Sequence, residues 1–152
     1  MIRPARRVQW GMASSISLHV PISVGTSPQP SVRFLLRLEG LAGAAISLAL
    51  YARFGYGWAL FAGLWFAPDL ALLAYLRNAD LGARVYNALH SYVTPATLGL
   101  IGFLLHGNLA VAAALIWANH ISIDRLFGYG LKHPESFGAT HLGPVGRSSA
   151  ES

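Results

Sequence analysis

From Phe34 onward the chain alternates between apolar stretches and short polar joints. Each stretch is close to the roughly 20 residues a helix needs to cross the hydrocarbon layer of a bilayer. The pattern predicts four crossings, at 34–53, 57–76, 85–105 and 108–128. Between them lie turn-forming clusters: Gly55-Tyr56-Gly57, Arg77-Asn78-Ala79-Asp80-Leu81-Gly82 and His106-Gly107-Asn108. Joints this short make consecutive helices antiparallel hairpins. Pro68 and Pro95 fall inside the second and third stretches. A membrane helix keeps a proline kink there, because its neighbours satisfy the freed carbonyls. The expected fold class is therefore all-α, an integral membrane four-helix bundle.

Composition supports this reading. Charged residues make up 11% of the 152-residue chain, against about 25% in an ordinary soluble domain, too few to cover the outside of a soluble monomer. The absence of cysteine excludes a disulfide framework, a cysteine zinc site, an iron–sulfur cluster and thiol catalysis together. A net charge of +5 would ordinarily suggest nucleic acid, but the arginines are spaced between apolar runs instead of gathered on one face, so no nucleic-acid partner is expected. They read as topology signals. Arg33, Arg37, Arg77, Arg84, Arg125, Lys132 and Arg147 fall on the side of the N-terminus and Arg53 alone on the other, which puts both termini in the cytoplasm. The partner that follows is the lipid bilayer, with the protein expected to be integral to a membrane.

Three regions follow. Residues 1–32 carry no acidic residue, four prolines and no apolar run long enough for a signal peptide, and are expected to be a disordered cytoplasmic leader. An organelle transit peptide and a start at Met12 or a later residue are the alternatives. Residues 33–143 form the four-span membrane domain, and 144–152 a disordered tail.

Ionisable residues inside a bilayer cost about 2.5–3.5 kcal/mol or more each and mark function by default. The apolar stretches hold Glu39, Asp69, His90, His120 and Asp124, with Asn87 and Asn119 as uncharged companions. Counted from Arg33, Arg77, Arg84 and Lys132 as edge markers, the five ionisable residues and Asn87 lie roughly 5 to 18 Å deep at about 1.5 Å per residue, within the cytoplasmic half. Four helices thus bring polar groups to one level. Asn87 and His90 are three residues apart, and His120 and Asp124 four, so each pair projects from one helix face. His90, His120 and Asp124 are the expected metal ligands, with Glu39 and Asp69 available to complete the shell or act on substrate. This set suits a divalent transition metal, zinc, manganese or iron, better than calcium. After the last stretch, two glycines let the chain fold back over the cytoplasmic mouth. Arg125, Lys132 and His141 would then offer donors to an anionic lipid or a phosphate-bearing substrate.

Several motifs occur in a fixed order: Arg37-Leu38-Glu39-Gly40; Ala67-Pro68-Asp69-Leu70; Tyr86-Asn87 with His90-Ser91-Tyr92 and Pro95; His120 with Asp124-Arg125 and Gly128-Tyr129-Gly130-Leu131-Lys132; and Thr140-His141-Leu142-Gly143. Together, over about residues 33–146, they resemble the small bacterial membrane proteins designated domain of unknown function 4260. The resemblance implies a helical integral membrane protein, with the bacterial inner membrane as its expected location, and no particular activity. More loosely, histidine and aspartate at helix ends near the cytoplasmic face look similar to small membrane-bound metal-dependent hydrolases, an analogy of pattern.

Three functions remain open on the sequence. A metal held by His90, His120, Asp124 and one or both of Glu39 and Asp69 would activate water against a phosphate or ester bond of a lipid-like substrate, with Arg125 steadying the anion. Alternatively, the same groups form an ion or solute path, or they are a packing network in a structural or accessory membrane protein.

Overall fold

The computed structural model describes residues 29–133, 136–140 and 142–144. The expected leader lies almost wholly outside the described residues, as do most of the tail and His141. The described chain is mostly helical. In order it forms α1 (Pro30–Arg53), α2 (Trp58–Leu64), a 3-10 helix (Ala67–Leu76), α3 (Ala79–Leu89), α4 (Val93–Leu104) and α5 (Asn108–Phe127). The strands β1 (Lys132–His133), β2 (Ser136–Thr140) and β3 (Gly143–Pro144) follow as a small antiparallel sheet in that order. The stretches 30–53, 58–76 and 108–127 are long and apolar enough to cross a membrane. α4, with 12 residues, reaches only about 18 Å at the helical rise, short of the roughly 30 Å of hydrocarbon.

Two stretches differ from the sequence expectation, and each difference has a local cause. The third, 85–105, is not one helix. α3 ends at Leu89, and the chain breaks at His90-Ser91-Tyr92 before α4 begins. Pro95 lies in the first turn of α4, where its missing N–H has no intrahelical partner to lose. Ser91 Oγ accepts from the Val93 N–H at 3.3 Å, and Thr94 Oγ1 donates to the Ala88 carbonyl at 2.6 Å, tying the two ends of the break together. In the second stretch, Pro68 supplies no N–H to the turn before it, and the helix tightens to 3-10 geometry from Ala67. α3 carries its own start signal: the Asn78 side chain accepts from the Leu81 N–H at 2.8 Å.

Packing is carried by small residues. α1 turns Gly40, Ala44, Ser47 and Tyr51 inward. A Cβ at Gly40 would meet the Leu126 amide nitrogen at 2.6 Å and the Ser122 carbonyl oxygen at 2.8 Å, so α1 and α5 approach backbone to backbone. This is the small-residue contact by which helices associate in lipid, where apolar side chains gain nothing by leaving the surroundings. α4 meets α5 the same way, Gly102 against Ala110 and Val111. The outside is apolar, with Leu76 87% exposed and Phe66, Leu70, Val93, Phe103 and Leu105 all turned outward. The inside holds Ser47, His90, Asn119, His120 and Ser122. Polar within and apolar without is the arrangement suited to hydrocarbon as solvent.

Candidate metal centre

Four side chains from three elements meet between the 3-10 helix, the end of α3 and α5. Asp69 comes from the first turn of the 3-10 helix, His90 caps α3, and His120 and Asp124 stand one turn apart on α5. His90 Nε2 and His120 Nε2 lie 3.3 Å apart. Asp69 Oδ1 is 3.5 Å from each of them. Asp124 Oδ2 is 3.6 Å from His90 Nε2 and 3.8 Å from His120 Nε2. A tetrahedral ion bound by nitrogen and oxygen at about 2.0–2.1 Å sets its ligands about 3.3–3.4 Å apart. The triangle of Asp69, His90 and His120 has edges of 3.3, 3.5 and 3.5 Å, close to these, and Asp124 stands slightly outside the fourth corner.

The ring orientations suit the same purpose. His90 Nδ1 faces the Tyr86 carbonyl oxygen at 3.1 Å. A carbonyl only accepts, so Nδ1 carries the proton and the Nε2 lone pair points into the cluster, as for a ligating histidine held by a backbone carbonyl. The Tyr86 ring stacks on His90 with centroids 3.8 Å apart and 11° between planes, fixing the imidazole further. His120 packs edge-on against Trp65 at 4.8 Å. Its Nδ1 is buried with no hydrogen-bond partner among the described residues. Both histidines are almost fully enclosed, whereas the Asp69 side chain is 40% exposed, so the cluster opens on the Asp69 side.

The other sequence candidates lie elsewhere or are engaged differently. Glu39 is on an exposed face of α1 and forms no ion pair with these groups among the described residues. It lines a separate cleft of about 370 Å³ with Leu36, Gly40, Gly43, Tyr92, Arg125 and Leu142. Arg125 donates through Nη1 to the Tyr129 carbonyl at 2.7 Å and through Nη2 to the His90 carbonyl at 3.0 Å. It fastens the end of α5 to the α3–α4 break. Asn119 belongs to a second polar group. Its Nδ2 donates to the Ala44 carbonyl at 2.9 Å and to Ser47 Oγ at 3.1 Å, and its Oδ1 accepts from Trp65 Nε1 at 3.0 Å.

Sequence reasoning passed over Tyr86, four residues before His90, and Trp65, whose apolar surroundings disguised its contact with His120. It also missed the stripe Gly40, Gly43, Ala44 and Ser47, whose small-residue spacing was a readable sign of the α1–α5 contact. The chain does fold back after α5: Leu142 is buried, and Lys132 is joined to Asn87. A profile of the family described as a domain of unknown function (DUF4260) matches residues 33–145. No curated protein and no solved structure matches the chain.

Proposed function

We propose that this chain, which belongs to the DUF4260 family, is a multi-span membrane protein that holds one divalent transition metal between Asp69, His90 and His120 and acts on a phosphate or ester bond of a lipid-like substrate. The single observation that carries this is the three-ligand triangle with edges of 3.3–3.5 Å, two corners enclosed and the third facing outward. Asp124 takes the fourth corner. Its longer distances suit a ligand that yields to water or substrate. A metal so held supplies a Lewis acid and a water ionised near neutral pH. His90 and His120, each through Nε2, fix its position, and Asp124 is placed to take the proton of an attacking water. The donor set favours zinc, manganese or iron.

In this reading α1, the 58–76 stretch and α5 cross the bilayer as full-length spans, α4 completes a fourth crossing only together with the non-helical residues at its two ends, and both ends of the chain face the cytoplasm. The distribution of Arg33, Arg37, Arg77, Arg84 and Lys132 against Arg53 supports it. α3 lies along the inner surface, where Asp80 and Arg84 pair in the open at 2.9 Å.

The test is metal analysis of the purified full chain. About one equivalent is expected in the wild type and much less in His120→Ala. A wild-type protein free of metal after growth with zinc, manganese and iron sinks the reading. A second reading, a structural or accessory protein, is favoured by the Asn119 group, which ties α1, Trp65 and α5 together with no open side. It requires His120→Ala to lower folded yield without any metal to lose.

A further inference from the structure

The cleft of about 370 Å³ beside α1 is separate from the metal centre, since none of Asp69, His90, His120 and Asp124 lines it. Its polar groups are Glu39, Tyr92 and Arg125, and its apolar lining includes Leu36 of α1 and Leu142 of the fold-back. Glu39 and Gly43 stand one turn apart on one face of α1. A Cβ at Gly43 would lie 3.7 Å from the Tyr92 hydroxyl oxygen. The carboxylate and the phenol therefore serve the same side of the cleft, and Arg125 reaches it from α5.

Hydrogen counting shows what these groups still offer. Ser122 spends its only hydroxyl proton on the Ala118 carbonyl, at 2.7 Å. In the 3.0 Å contact between Tyr92 and Ser122 the tyrosine is thus the donor, and its oxygen presents only lone pairs to the cleft. Glu39, ionised, is likewise an acceptor, and it forms no hydrogen bond or ion pair among the described residues. Arg125 donates once through Nη1 and once through Nη2, to the Tyr129 and His90 carbonyls. A guanidinium has five N–H donors, so Arg125 keeps some for a ligand. One wall asks for a cation with N–H groups and the other for an anion.

We infer that this cleft binds the headgroup of a zwitterionic phospholipid with a primary ammonium, its ammonium on Glu39 and the Tyr92 oxygen and its phosphate on Arg125. The setting suits a lipid: α1 turns Phe34, Leu35, Leu38 and Leu41 outward around Glu39, giving acyl chains a surface to follow. The inference rests on the membrane topology proposed above and not on the metal. Phosphatidylethanolamine has the required groups. The quaternary ammonium of phosphatidylcholine has no N–H to give the two acceptors. Phosphatidylglycerol has no cation, and leaves Glu39 facing an anion.

The purified full chain in detergent micelles is titrated separately with these three lipids, matched in acyl chains, and bound lipid is counted by native mass spectrometry. One phosphatidylethanolamine per chain should bind about tenfold or more tightly than either of the others, the worth of one or two hydrogen bonds to a charged group. Glu39→Gln should bring it down to the phosphatidylcholine level. Leu36→Trp, which narrows the cleft from its apolar side, should weaken it with the carboxylate intact. An unchanged unfolding temperature shows that each variant is folded. Phosphatidylethanolamine bound no better than phosphatidylcholine, or bound undiminished by folded Glu39→Gln or Leu36→Trp, overturns the inference. A preference for phosphatidylglycerol does the same, since arginine alone would then read the headgroup. These results leave the membrane reading standing, whereas a chain that stays monomeric in buffer without detergent removes both.

Discussion

At the scale of single residues, two polar groups with different duties share the interior. Asn119 satisfies its amide on Ala44, Ser47 and Trp65, while the cluster at His90 and His120 leaves lone pairs facing a common point. Substitution separates them. Asn119→Ala removes three hydrogen bonds and strands the Trp65 N–H, and should cost about 1 kcal/mol of stability in detergent, in the range measured for interhelical bonds in membranes. Metal bound per folded molecule should not change. Glu39→Gln should likewise leave metal content at the wild-type level, because that carboxylate lines the cleft between α1 and Tyr92. Loss of metal in Glu39→Gln would show that the carboxylate reaches the centre after all. Asp69, His90, His120 and Asp124 stood out in the sequence because an ionisable group in an apolar run is conspicuous. Glu39 shares their depth but not their direction. Counting residues from a membrane edge gives height along a helix and says nothing about rotation, and the rotation of α1 is set by Gly40, Ala44 and Ser47.

At the scale of elements, helix ends and helix contacts follow different rules, and some of the ends were readable. The Gly55 turn, the Asn78 cap and the Gly128 terminus announce themselves by residue type, and Gly55 and Gly128 do adopt positive φ, at 72° and 90°. His106 adopts the same left-handed backbone, φ 55°, at the end of α4, where the Gly107 N–H reaches back to the Gly102 carbonyl at 2.7 Å. A side chain there carries a cost of roughly 1 kcal/mol that glycine escapes. His106→Gly should therefore raise the unfolding temperature in detergent, and a lower one would show that the imidazole makes a contact outweighing the strain. Gly40→Val should do the reverse. Its branched Cβ meets the backbone of α5, which cannot yield as a side chain would, and a loss of about 1–3 kcal/mol or more is expected in thermal unfolding. The break between α3 and α4 escaped the sequence pattern because Tyr92 and Val93 keep the run apolar through it. Only Pro95, better suited to a first turn than to a helix interior, hinted at a new start.

At the scale of the whole molecule, apolar periodicity disclosed the helical class and the stretches long and apolar enough to cross a membrane, whereas the small sheet after α5 was built of strands too short to be seen. The proposed topology has a direct check. The chain has no cysteine, so single cysteines introduced at Asn108 and at Arg147 can be labelled without background. In intact cells an impermeant maleimide should modify the residue 108 cysteine and spare the one at 147. The same side for both would mean an even number of crossings between them.

The four acidic and imidazole groups of the centre are spread widely along the chain, and half of them belong to the last helix. A nascent polypeptide that has inserted only α1 through α4 holds Asp69 and His90 but neither of their counterparts. In the proposed metal reading, cofactor capture falls at the end of biogenesis, once α5 is in place. Chains stalled or truncated before that helix would remain empty, and a membrane-bound protease could distinguish them from finished molecules.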